Sequence, residues 1–332
     1  MKPLVSIIIP CYNEGATIRL LLEALLQQSY PRSALEVIIA DGLSTDRTRE
    51  EVAAFNRQFP QLAVQVIDNP KRVTPAGLNI ALNAANGSLV IRLDAHAVPR
   101  PDYITRCVED LEKGLGDNVG GVWEISPGGK GWIARAIAAV AAHPLGVGDA
   151  RYRYTSRAGE ADTVPFGAFY RTLVDQIGSY DESLLANEDY EFNVRVRQHG
   201  RRVWLDPLIR CTYFARPNLG ALARQYWRYG YWKLRMLRRY PTTIRWRQAL
   251  PPLFVLNLVL LFLLSPWWSL ARLGLLSEVL LYGLIMFFAG VQLALNKKKP
   301  SLILGVPLAI ATMHFSWGSG FLWSWINSVY KP

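Results

Sequence analysis

Three sets of polar residues stand where they can act together: Tyr12, Asn13 and Glu14; then Asp41; then Asp94 and His96. Each set follows a short β-branched or apolar run, at residues 4–9, 36–41 and 89–93, that reads as a buried strand. Carboxylates and an imidazole accept hydrogen bonds and protons and bind cations, so their convergence would make a reactive crevice. A fourth set, Asn187-Glu188-Asp189, lies in the acidic run 180–191 at the start of a predicted helix, where its carboxylates also suit a capping role. Asn13 and Glu14 equally suit helix capping, whereas an Asp ending a buried strand, such as Asp41, has little structural use.

The elements that must position these groups follow from periodicity. From Thr17, the apolar residues Ile18, Leu21, Leu22, Leu25 and Leu26 recur at helical spacing. A Gly-Leu-Ser-Thr-Asp turn, a polar helix, a strand at 63–68 and a helix at 75–85 come next. Strands alternating with helices predict an α/β fold, a mainly parallel sheet with flanking helices. Ligands of such sheets collect at the strands' carboxyl ends, which is where the first three polar sets fall. Residues 114–157 are rich in Gly, Ala and Arg, with weak periodicity, and give no detailed assignment.

The motifs Val5-Ser-Ile-Ile-Ile-Pro-Cys-Tyr-Asn-Glu14, Ala40-Asp-Gly-Leu-Ser-Thr-Asp46, Arg92-Leu-Asp-Ala-His96 and Asn187-Glu-Asp189 resemble, in order, those of the family 2 inverting glycosyltransferases. The resemblance covers residues 4 to about 210 and implies a GT-A, Rossmann-like fold. It also implies sugar transfer from a nucleotide-diphosphate donor, with a uridine nucleotide the family's commonest. Pro10, Tyr12, Glu14 and Asp41 would then hold the nucleoside, and Arg72 would touch the diphosphate. Asp94-Ala-His96 occupies the place of the family's Asp-x-Asp metal motif, so Asp94 and His96 would ligate Mn²⁺ or Mg²⁺. His96 replaces the usual second Asp, and no later His is present around Cys211-Thr-Tyr213 to complete the coordination. Asp189 matches the catalytic base and Glu188 supports it. Gln225-Tyr-Trp-Arg-Tyr229 resembles the Gln-x-x-Arg-Trp motif of polysaccharide synthases, placing Gln225 and Arg228 beside acceptor and diphosphate. With Asn69-Pro-x-Arg72 and Gly146-Val-Gly-Asp149, the whole looks most like bacterial succinoglycan-type exopolysaccharide glycosyltransferases, which extend polyprenyl-linked glycans.

The remaining chain points to a membrane. From about Leu250 apolar blocks run at roughly 251–269, 273–294 and 302–326, and about 20 helical residues at ~1.5 Å each cover a ~30 Å hydrocarbon core. The net charge of +11 concentrates before these blocks, between Arg224 and Arg247, and at Lys297, Lys298 and Lys299 between two of them. Juxtamembrane placement without a nucleic-acid motif favours lipid headgroups over nucleic acid. Two spans separate the basic clusters, so both face the cytoplasm under positive-inside bias. Three cysteines without metal spacing, and no signal-peptide pattern, fit a reducing compartment. The expected organisation is a cytoplasmic GT-A domain at 1–215, a basic amphipathic interface segment at 216–248 and a membrane domain at 249–332, in a multi-pass protein of the bacterial inner membrane. Glu278 and His314, inside the apolar blocks, are either functional or, for Glu278, near enough to the outer end to reach headgroups and, for His314, merely bonded across the bundle. A processive synthase and a non-catalytic scaffold that binds nucleotide-sugar are the alternatives; three spans are few for a polymer channel, and a scaffold has no need of Asp41, Asp94 and Asp189 together.

Overall fold

In the computed structural model, which describes residues 2–330, the first β-branched run forms β1 (Val5–Cys11). It lies between β2 (Leu35–Asp41) and β4 (Leu89–Arg92), parallel to both, and β2 pairs in parallel with β3 (Ala63–Asp68). Helices α1 (Ile18–Leu26), α2 (Thr48–Gln58) and α3 (Thr74–Ala84) connect them. In register, Cys11 stands opposite Asp41, and Asp41 opposite Asp68, so these strands end level and their following loops share one edge.

Beyond β4 the sheet turns antiparallel. Its order is β3-β2-β1-β4-β8-β6-β9-β5, with β5 (Val98–Pro99), β6 (Asn118–Pro127), β7 (Gly159–Glu160) paired to β9, β8 (Ala168–Tyr170) and β9 (Val203–Ala215). Helices α4 (Tyr103–Glu112), α7 (Thr172–Ile177) and α8 (Glu188–Gln198) complete this part. Side chains alternate between faces with the strand period of two. Val5, Ile7 and Ile9 pack with Leu21, Leu25, Phe55 and Ile104 on one face, while Ile8 and Ile38 pack with Leu78, Leu82, Phe192 and Val196 on the other. All are buried, each worth roughly 1.5–3 kcal/mol.

The chain forms two compact units. One comprises the residues up to Glu124 with Arg151–Tyr213; the other joins Ile125–Ala150 to the chain from Phe214 onward. Ile125–Ala150, unassigned by periodicity, contributes α5 (Trp132–Val140) and α6 (Pro144–Val147) to the second unit. There they accompany α9 (Leu219–Arg239), α10 (Trp246–Leu264), α11 (Ser269–Lys297) and α12 (Leu302–Tyr330). By length and composition, the helices at Trp246–Leu264, Ser269–Lys297 and Leu302–Ser328 are long and apolar enough to cross a membrane. The two ionisable groups singled out within them both have partners, as groups removed from water require. Glu278 accepts from Asn257 Nδ2 at 2.7 Å. His314 bonds Tyr282 Oη through Nδ1 at 3.1 Å and the Leu145 carbonyl through Nε2 at 2.7 Å.

Helix α9 is amphipathic, and its buried Leu222, Gly230, Met236 and Leu237 belong to the face it turns toward α12. The approach is backbone to backbone. A Cβ on Gly230 would overlap the Trp317 carbonyl oxygen, and one on Gly320 would overlap that of Trp227. Gly230→Val should therefore lower the thermal unfolding midpoint of the detergent-solubilised protein, losing about 1–3 kcal/mol as an overpacked contact does. Helical ellipticity against temperature checks this, with exposed Gly283→Val as the control, because a Cβ there meets nothing.

A close acid pair lies in the first unit. Burial and the neighbouring Asp206 push the Asp110 carboxyl up to about 6 from its ordinary 3.8. Below about pH 4 the group is protonated whether the chain is folded or not. As pH rises through 6 the folded chain must bury a charge, and stability is lost. Asp110→Asn should raise the unfolding midpoint above pH 6 and leave it unchanged at pH 4, the gain being about 1–2 kcal/mol once solvent screening is allowed for. Melting curves at the two pH values check the sign.

Candidate active site

Two loops at the carboxyl edge of the sheet are tied to each other by side chains. Asn13 takes a left-handed conformation, φ 55°, that Asn tolerates. Its N–H donates to Ser44 Oγ at 2.8 Å, and its Oδ1 accepts from Thr45 N–H at 2.8 Å. Glu14 N–H donates to Thr48 Oγ1 at 2.8 Å, and Gly15 N–H to Asp46 Oδ2 at 3.0 Å. The half-exposed Tyr12 ring lies over Gly42, where a Cβ would come within 3.1 Å of the ring. Pro10 ends this platform, packed toward Gly77 of α3.

Asp41 is buried and engaged in the turn. It accepts from Ser44 Oγ at 2.5 Å and Ser44 N–H at 3.0 Å, and from Arg49 Nε at 2.5 Å; Arg49 also reaches Asp68. The expectation that an Asp here lacks structural use is not met, since it braces the loop after β2.

The charged centre is Arg92, the last residue of β4 and almost completely buried. Its Nη2 donates to Asp94 Oδ1 and to Glu188 Oε1, each at 3.0 Å, and its Nη1 meets Asp189 Oδ1. Burial alone would disfavour the charged guanidinium, but Asp94 and Glu188 raise its pKa above the ordinary value and keep it charged. Helix α8 brings Glu188 and Asp189 here, and it is firmly anchored. Arg195 forks onto Glu191 at 2.7 and 2.8 Å and donates to the Ile177 and Gly178 carbonyls, while Asn193 pairs with Asn118 and Thr163. Asn187, at the helix start, is left-handed with φ 66° and makes no side-chain cap.

His96 turns to Glu14, its Nδ1 3.2 Å from Oε1, so the first loop and the Asp94 loop meet. Burial acts to raise the Glu14 pKa, but hydrogen bonds from His96 and Thr17 outweigh it and hold the carboxyl below its ordinary value. Among the described residues no group of three or more His, Cys, Asp or Glu side chains forms a cation cage. Asp94 keeps about a quarter of its side chain exposed beside His96. One or two such ligands fit a hard cation whose other ligands are water and phosphate oxygens.

Arg72 is exposed in the turn after β3, with φ 55°. Nearby, Asn79 accepts from Tyr180 N–H at 2.9 Å and donates to Glu182 at 3.0 Å, while Lys71 pairs with Glu182 at 2.6 Å. Left-handed, non-glycine conformations thus recur at Asn13, Leu43, Arg72 and Asn187, all in loops around this edge. Leu43 and Arg72, which lack the tolerance of Asn for this region, carry strain of about 1–3 kcal/mol there. Gln225 and Arg228 lie on α9 of the second unit, where Gln225 Nε2 donates to Tyr229 Oη at 2.9 Å. Asp149, in the Gly146–Asp149 motif, pairs with Arg245 and Arg247 in that same unit. Periodicity and motif reading assign no role to Arg92. Its signal is nevertheless present: a lone Arg in a strand that otherwise reads Leu-Val-Ile must be buried with carboxylate partners.

The model named "Glycosyl transferase family 2" matches residues 6–177. The chain is 32% identical over 320 residues, 95% of its own length and 93% of the relative's, to the succinoglycan biosynthesis protein ExoA of Rhizobium meliloti. It is 26% identical to a dolichyl N-acetyl-α-D-glucosaminyl phosphate 3-β-D-2,3-diacetamido-2,3-dideoxy-β-D-glucuronosyltransferase of Methanococcus voltae, covering 98% of this chain and 99% of that one. Among solved structures, the mannosyltransferase PcManGT from Pyrobaculum calidifontis, in complex with GDP-Man and Mn²⁺, superposes with a TM-score of 0.64 at 21% identity, covering 94% of this chain and 87% of that one. S. aureus TarS 1-349 in complex with UDP-GlcNAc gives 0.53 at 17%, covering 95% and 91%. The fold is accordingly GT-A, and the chain belongs to glycosyl transferase family 2.

Proposed function

We propose that this glycosyltransferase moves a sugar, with inversion, from a nucleoside-diphosphate donor to a polyprenyl-linked glycan at the cytoplasmic face of a bacterial inner membrane, in cell-surface polysaccharide synthesis. The observation that carries the reading is that Arg92 gathers Asp94 and Asp189 at one locus, a carboxylate for the donor side and one for the acceptor.

Tyr12 and Pro10 offer an exposed platform for the base, and Glu14 and Asp41 accept from the nucleoside. Three of the roughly four acceptor sites of the Asp41 carboxylate are already used, which leaves one. Asp94 and His96 would hold Mn²⁺ or Mg²⁺, which supplies charge compensation for the departing diphosphate. Arg72 would add hydrogen bonds and positive charge to the diphosphate. The Asp189 carboxylate takes the proton of the acceptor hydroxyl as that oxygen bonds to the anomeric carbon. The bond from that carbon to the diphosphate oxygen breaks on the opposite face, and the nucleoside diphosphate leaves.

The division into a catalytic domain at 1–215, a basic segment at 216–248 and a membrane domain at 249–332 belongs to this reading. Arg238 and Arg239 at the end of α9, and Lys297 at the end of α11, support a cytoplasmic side for both basic clusters. The relatives' names support a lipid-linked acceptor, since they include the dolichyl-linked transferase and an undecaprenyl-phosphate 4-deoxy-4-formamido-L-arabinose transferase. A uridine nucleotide is the donor proposed, as the family's commonest; the solved neighbours hold both GDP-Man and UDP-GlcNAc. The test is nucleoside diphosphate release by the detergent-purified protein from a panel of UDP- and GDP-sugars, with membrane lipid extract as acceptor source. Cation-dependent release from one UDP-sugar supports the reading; a GDP-sugar corrects the donor, and no turnover of any donor removes the enzymatic claim.

A further inference from the structure

Three acidic side chains share one buried cation. Asp94 follows the end of β4, while Glu188 and Asp189 begin α8, nearly a hundred residues later in the chain. Among the described residues Arg92 is the basic side chain that pairs with all three, and at 3% exposure it cannot swing out to solvent as a surface Arg can. A guanidinium has five N–H donors in a fixed fork, enough to hold all three carboxylates at once. With one positive charge against three negative, the cluster carries two negative charges in excess, which a divalent cation would balance.

We infer that Arg92 is a positioning residue that couples the two halves of the reaction: it competes with the donor-side cation for Asp94 while aiming Asp189 at the acceptor. This rests on the proposed function. Physically the guanidinium does two opposed things. Its charge beside Asp94 repels a divalent cation and so weakens binding there. Its bonds to Glu188 and Asp189 hold the base oriented, which serves turnover. When a cation bound with the donor draws on Asp94, the guanidinium is left to the acceptor-side pair, so donor occupancy would tighten the hold on Asp189.

The opposed effects give a signature that a purely structural role lacks. Arg92→Gln should bind Mn²⁺ about 3- to 10-fold more tightly in the presence of saturating UDP, because a repelling charge is gone. Its kcat should nevertheless fall by about 10²-fold or more, because Asp189 loses its orientation. Arg92→Lys keeps the charge but not the fork, so it should bind Mn²⁺ within about twofold of wild type and still lose about 10-fold in kcat.

Mn²⁺ binding is read by the loss of the free-ion electron paramagnetic resonance signal, and each variant's fold by its thermal unfolding midpoint. Should Arg92→Gln not fold, Arg92→Lys alone decides. Wild-type kcat in Arg92→Lys, or Mn²⁺ binding that weakens in step with kcat in either variant, overturns the inference. If wild type itself binds no Mn²⁺ with either UDP or GDP, the cation part of the proposed function fails, and the coupling falls with it. If wild type binds and Arg92→Gln does not tighten, only the coupling falls.

Discussion

Asp189→Asn lowers kcat by about 10³-fold and leaves nucleoside diphosphate affinity within about twofold of wild type. The amide keeps the shape and the ability to accept a hydrogen bond from Arg92, but it cannot take the acceptor proton at neutral pH. α8 stays in place because its anchors are elsewhere, in the Arg195–Glu191 fork and the Asn193 contacts with Asn118 and Thr163. The split between kcat and binding is therefore the diagnostic. Single-turnover transfer and equilibrium binding of the diphosphate, measured on the same preparation, check it. A variant that lost both together would have lost its fold, and one that lost neither would move the base to Glu188.

Asp94→Ala abolishes cation-dependent turnover, with a fall of roughly 10²-fold or more, and removes Mn²⁺ binding in the presence of the nucleoside diphosphate. With few protein ligands at the site, loss of the one carboxylate is not made good by His96, because a hard cation favours oxygen over a neutral imidazole nitrogen. His96→Ala has the smaller effect for the same reason. Titration of Mn²⁺ by electron paramagnetic resonance on wild type and both variants orders the two contributions. Equal losses in both would show His96 to be a full ligand, its Nε2 on the cation while Nδ1 stays with Glu14.

The parallel half of the sheet is legible in the sequence because local signals agree. The residues of β1 and β2 are β-branched runs, and Ile18, Leu21, Leu22 and Leu25 recur at helical spacing and are all buried. The antiparallel half is not legible. Strand β6 contains Gly120 and Gly121, poor strand formers by propensity, and Gly121 is required because a Cβ there would overlap the carbonyl of Ile209, on β9 and far along the chain. Helix α5, with its Ala-rich stretch, owes its place to contact with α12, which no local window contains. The candidate site divides in the same way. Tyr12, Glu14, Asp94 and Asp189 stand out by motif, whereas the role of Arg92 depends on partners in α8 that only the fold supplies. For Asp41, the bracing by Ser44 and Arg49 escapes sequence reading because a turn's internal hydrogen bonds leave no periodic trace.

Under the proposed function the chain transfers sugar from a nucleotide donor to a lipid-linked acceptor using Asp189. The most direct test incubates the purified protein with the radiolabelled donor it turns over and a polyprenyl-linked acceptor fraction, then measures label extracted into organic solvent. The account predicts that label passes into the lipid fraction with wild type and not with Asp189→Asn. Label released only as free sugar, or lipid labelling that persists in Asp189→Asn, would contradict it.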